Sequence, residues 1–89
     1  MQELIKEQAL SDPSPYVKVE MMKERNPNTG KLYFYVNAYE KEGPGNPIIN
    51  GNYPKTTRRF EAFNEDIPEE AENEYQKFIK AKSIAQAVG

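Results

Sequence analysis

The stretch "KLYFYVNAY" (residues 31–39) decides the fold. Side chains along a β-strand alternate between its two faces. Leu32, Phe34, Val36 and Ala38 therefore point to one side, and Tyr33, Tyr35, Asn37 and Tyr39 to the other. The first set is a core stripe. The second places three tyrosines where a small protein ordinarily meets water.

Upstream, "YVKVEMMKER" (16–25) alternates in the same way, with Val17, Val19 and Met21 on one face and Lys18, Glu20, Met22 and Glu24 on the other. This predicts a second half-buried strand. Between the two runs lies "NPNTG" (26–30), in which Pro27 presets a turn dihedral and Gly30 accepts positive φ. An antiparallel hairpin follows. Downstream, "TTRRFEAF" (56–63) reads as a third strand: Arg58, Phe60 and Ala62 share one face, Arg59, Glu61 and Phe63 the other. The intervening loop, 41–55, carries three glycines and three prolines. Ile48, Ile49 and Tyr53 stand out there as apolar residues, and the Asn-Gly pair of "INGN" suits a type I′ turn.

The chain ends predict helices. Residues 1–10 place Leu4, Ile5 and Ala9 on one side of a short helix, stopped by "SDPSP" (11–15). A longer helix is expected over 66–87, with Asp66 as cap, Glu69 as its capping-box partner and Pro68 in the first turn. Ala71, Tyr75, Phe78, Ala85 and Val88 recur at helical spacing as its core stripe. Glutamates crowd its first half and Lys77, Lys80 and Lys82 follow, which complements the helix dipole. The expected fold is α+β, in one domain over 1–89. It is a three-stranded antiparallel meander with a short N-terminal helix and a long C-terminal helix packed on one sheet face. The N-terminal helix or the 41–55 loop is expected to cover part of the tyrosine face.

Composition narrows the chemistry. Eighty-nine residues with no cysteine and no histidine exclude disulfides, thiolate nucleophiles and cysteine-ligated metals, and remove the usual general base. Serine occurs only at Ser11, Ser14 and Ser83. The six carboxylates of "EDIPEEAENE" (65–74) read as solvated helix surface, and their spacing fits no coordinating loop. "GPGNP" (43–47) lacks the Lys-Ser/Thr of a phosphate cradle. The expectation is a protein that is not an enzyme and takes no cofactor and no metal. The N-terminal run is too short in apolar residues for a signal peptide or membrane span, so a cytoplasmic location and no membrane partner are expected.

The net charge is −2, with nine Lys/Arg against eight Asp/Glu over 1–63 and three against six over 64–89. Neither part is a basic surface of the kind that binds nucleic acid by counterion release. "KLYFYVNAY" nonetheless resembles the RNP1 strand of RNA-recognition motifs: Lys31, Tyr33, Tyr35 and Val36 fall at matching positions. Leu32 and Phe34 replace its glycines, and Ala38 stands in place of its final aromatic. The resemblance implies stacking of single-stranded bases on the tyrosines.

Tyrosine and arginine are also the residues that anchor protein interfaces. The leading expectation is therefore a small interaction protein with another protein as partner, similar in kind to accessory or inhibitor proteins of phages and mobile elements. A single-stranded nucleic-acid binder is the alternative, and a homodimeric structural protein comes third. The candidate partner-binding residues are Lys18, Tyr33, Tyr35, Tyr39 and Arg59 on the sheet, with Ile48, Ile49 and Tyr53 on the loop.

Overall fold

The computed structural model describes residues 2–42 and 47–82. Its elements are β1 (Gln2–Ala9), β2 (Tyr16–Arg25), β3 (Leu32–Glu40), β4 (Lys55–Ala62) and α1 (Glu69–Lys80). The strands form one antiparallel sheet in the order β1-β2-β3-β4, with each strand beside its neighbour in sequence. The α+β class and the meander agree with the alternating patterns. The number of strands and helices does not.

The N-terminal segment is a strand, not a helix. A helix of under ten residues is marginal in water, whereas the open edge of β2 offers hydrogen-bond partners to an extended chain. Gln2 pairs with Glu24 and Ala9 with Lys18, and the register slips between Leu4 and Lys6. Ile5 is the extra residue of that bulge. The slip lets Ile5 pack against the core while Leu4, its neighbour, remains 46% exposed on the opposite face. Adjacent apolar residues that imitate a helical face are thus shared between two sides of a sheet.

β2 and β3 are joined as the turn chemistry predicts. Asn26 Oδ1 accepts the backbone N–H groups of Asn28 and Thr29 at 2.8 and 3.2 Å, and Gly30 takes φ +75°. β4 runs from Lys55 to Ala62. It therefore stops before Phe63, which is 98% exposed rather than part of the strand.

The core lies between one sheet face and α1. Val19, Met21, Leu32, Phe34, Val36, Ala38 and Ala62 from the strands join Ala71, Tyr75 and Phe78 from the helix. The Phe78 ring meets Tyr16 edge-on, with centroids 5.3 Å apart. One cross-strand row on this face reads Lys6, Met21, Val36, Arg58. Its outer cations reach Glu72 and Glu74 of the helix, so α1 is paired to both edge strands. Such exposed pairs contribute little each, about 0–1 kcal/mol, beside the packing of Ala71, Tyr75 and Phe78.

The helix is shorter than its sequence pattern. Pro68 is the N-cap and no side chain caps the first turn. Asp66, the expected cap, instead donates its backbone N–H to Asn64 Oδ1 at 2.8 Å, within the turn that leads from β4. Ala81 is extended, with ψ 143°. The expected helical residues 83–87, and Val88 of the stripe, lie outside the described residues.

Phe34→Ala is expected to cost about 3–5 kcal/mol, as deletion of a buried aromatic. Phe63→Ala should change stability by less than about 0.5 kcal/mol, as at an exposed site. Urea unfolding of the two variants checks both values.

Candidate functional site

The face of the sheet opposite α1 is built of four cross-strand rows, set by the ladder register. The first row reads Gln2, Glu24, Tyr33, Glu61; the second Leu4, Met22, Tyr35, Arg59. The third is Glu7, Glu20, Asn37, Thr57, and the fourth Ala9, Lys18, Tyr39, Lys55. Among the described residues no element packs across it. The expected cover by an N-terminal helix is overturned, because β1 widens this face instead of hiding it.

The tyrosines here are held rather than free. Tyr39 donates its hydroxyl to Glu20 Oε1 at 2.6 Å, and Asn37 donates its amide to the same oxygen at 3.1 Å. Thr57 in turn donates to Asn37 Oδ1 at 2.7 Å. Lys18 Nζ lies 3.6 Å from Glu20 and 3.8 Å from Glu7. These contacts allow Glu20 and Asn37 to be buried, at 9% and 6% exposure, because buried polar groups need partners. Tyr35 donates to Glu24 Oε1 at 3.0 Å. The guanidinium of Arg59 sits 5.0 Å above the Tyr33 ring, and Lys18 and Lys55 lie 4.9 and 5.9 Å from that of Tyr39.

This environment shifts the phenols. Burial, then the hydrogen bond to Glu20 and the charges of Glu20 and Glu7, push the Tyr39 hydroxyl up to about 12. Burial and the Glu24 hydrogen bond raise Tyr35, against a smaller opposing effect of Arg59. Both remain neutral donors at neutral pH.

The loop candidates fall at one end of the face. Ile49 and Asn52 form a small bridge, with N–H···O distances of 3.1 and 2.9 Å in the two directions. Asn50 and Gly51 between them take φ 52° and 78°, as a type I′ turn requires. Gly51, Asn52 and Tyr53 border a cleft with Val17, Lys18 and Tyr39. Ile49 and Tyr53 are 64% and 42% exposed, while Ile48 is half-buried. The structure thus brings Lys18, Tyr33, Tyr35, Tyr39 and Arg59 onto one surface and sets the hairpin beside Tyr39.

Sequence reasoning missed other members of this surface. Leu4 was hidden by the helical reading of its segment. Met22, Glu24 and Glu61 were legible as outward-facing, but their place in a row depends on register; Lys55 was read as the end of the loop and is instead the first residue of β4. Among the described residues no group of three or more His, Cys, Asp or Glu is placed to hold a metal ion. No described helix is long and apolar enough to cross a membrane. Comparison of the chain with protein-family models, curated proteins and solved structures finds no match.

The raised hydroxyl of Tyr39 carries a pH signature. Its value in the folded protein, about 12, lies above the ordinary 10.0. The stabilisation it reflects is therefore complete below about pH 10 and is lost as pH rises toward about 12. Tyr39→Phe should reduce the fall in urea midpoint across that range. Tyrosinate absorbance titration should lose one of its delayed steps.

Proposed function

We propose that the protein is a non-enzymatic binding protein of the accessory or inhibitor kind, which docks another protein on its open sheet face. The observation that carries this reading is the set of tyrosines pinned there by Glu20, Glu24 and Arg59. A side chain already ordered before binding loses little entropy when a partner arrives. Tyrosine and arginine are also the residue types that dominate interface hot spots. The hairpin at Ile49–Asn52 and the exposed Tyr53 extend the surface at the Tyr39 end.

Charge favours protein over nucleic acid. The face carries Glu7, Glu20, Glu24 and Glu61 against Lys18, Lys55 and Arg59. Single-strand binders need a positively charged groove beside their aromatics, and this face has no cationic excess. The function takes no chemistry at the site: the protein acts by occupying its partner.

Affinity purification from the native cell extract, with and without nuclease, separates the two classes of partner. A protein partner retained after nuclease treatment is expected. With that partner in hand, Tyr35→Ala should weaken binding tenfold or more, about 1.4 kcal/mol, and leave the far-ultraviolet circular dichroism unchanged. Unaltered binding by this variant, or capture that depends wholly on nucleic acid, would overturn the reading. Replacing residues 44–53 with a short Gly-Ser linker should keep the fold and also lower affinity, measurable by calorimetry.

A further inference from the structure

The four rows of the open face carry an alternation that a partner must match. By formal charge the first row is −2, the second +1, the third −2 and the fourth +2, as the Glu, Lys and Arg residues in each row show. The outer rows are thus opposite in sign and equal in size. Their charges also stand on the same strands: Glu24 and Lys18 both lie on β2, Glu61 and Lys55 both on β4.

We propose that the partner fitting this face is a second copy of the chain, packed sheet to sheet about a two-fold axis. This rests on the reading of the face as a protein interface, and makes a second copy and any other protein competitors for it. The axis runs perpendicular to the strands, midway between the second and third rows. Rotation about it keeps each strand over its own counterpart and exchanges the first row with the fourth. Glu24 then faces Lys18 of the second copy, and Glu61 faces Lys55 of the second copy. Tyr33 meets Tyr39 of the second copy, and symmetry repeats every pair. Such self-complementarity is what an isologous interface requires.

Sheet geometry permits the approach. A sheet twists about an axis perpendicular to its strands, the same direction as the proposed two-fold. Rotation about that direction maps one twisted surface onto a nested copy, so the spacing holds out to the edges. Sheets stacked this way pack about 10 Å apart, a span that opposed Glu and Lys side chains bridge. In the middle rows Met22 covers Glu20 of the second copy, whose carboxylate is already satisfied by Tyr39, Asn37 and Lys18. Four strands about 4.8 Å apart and four residues at about 6.8 Å spacing give about 500 Å² per copy. The total of about 1,000 Å² lies at the small end of specific interfaces. An interface of that size belongs to the weak, reversible class.

Charge reversal on β4 tests the arrangement, because Lys55 and Glu61 are about 20 Å apart along one strand and cannot compensate within a chain. Sedimentation equilibrium should find a dimer for the native chain. Glu61→Lys and Lys55→Glu should each weaken it about tenfold. Mixing the two variants should restore association to within about threefold of native, since the mixed dimer regains both kinds of pair. Should either variant lose its circular dichroism, Glu24→Lys mixed with Lys18→Glu makes the same test on β2. A monomer at concentrations near 1 mM, or a dimer that the mixture fails to restore, overturns the proposal. A monomer whose capture of another protein still depends on Tyr35 would sink this inference alone and leave the binding reading standing. A restored dimer supports it even if no other protein is captured.

Discussion

Phe34 stands in the ladder opposite Phe60 on β4 and Lys23 on β2, fully buried in the cluster that includes Ala71, Tyr75 and Phe78. Its position fixes the register of β3, because slipping a strand by one residue exchanges its two faces. A slip here would expose Leu32, Phe34, Val36 and Ala38 and press Tyr33, Tyr35 and Tyr39 into the helix. The hydrophobic core therefore does more than hold α1 in place. It also dictates which tyrosine stands beside which carboxylate on the far side.

The far side is ordered by polar contacts in place of a second layer. Glu20 collects donors from Tyr39 and Asn37 and the charge of Lys18, and Asn37 passes the chain on to Thr57 on β4. The network thus spans three strands. Hydrogen bonds to an ionised group are stronger than those between neutral groups, which suits a surface that must stay rigid without a helix above it. The Tyr39 hydroxyl is one of the donors that offset the cost of burying Glu20.

The two edge strands show a related economy of charge. β1 carries Glu3, Lys6 and Glu7 with a bulge at Ile5, and β4 carries Lys55, Arg58, Arg59 and Glu61. Charged and bulged edges discourage further strand pairing. Edge-to-edge growth of the sheet is thereby disfavoured on both sides.

Much of this was legible in the chain itself. Period-two alternation in 16–25, 31–39 and 56–63, with Asn, Pro and Gly between the first two, determined three strands, their antiparallel hairpin and the side on which Tyr33, Tyr35 and Tyr39 stand, each strand end lying within one residue of the observed one. Helical spacing of Ala71, Tyr75 and Phe78 determined the element that covers the core. The first strand was not legible, because a bulge breaks its alternation and Leu4 and Ile5 together imitate a helical face. Its conformation depends on the free edge of β2, a partner distant in sequence. The cap at Pro68 was likewise decided by the turn from β4, which engages Asp66 elsewhere. The charged rows were decided by tertiary structure too: a row exists only where four strands meet in register, and register is set by packing on the opposite face.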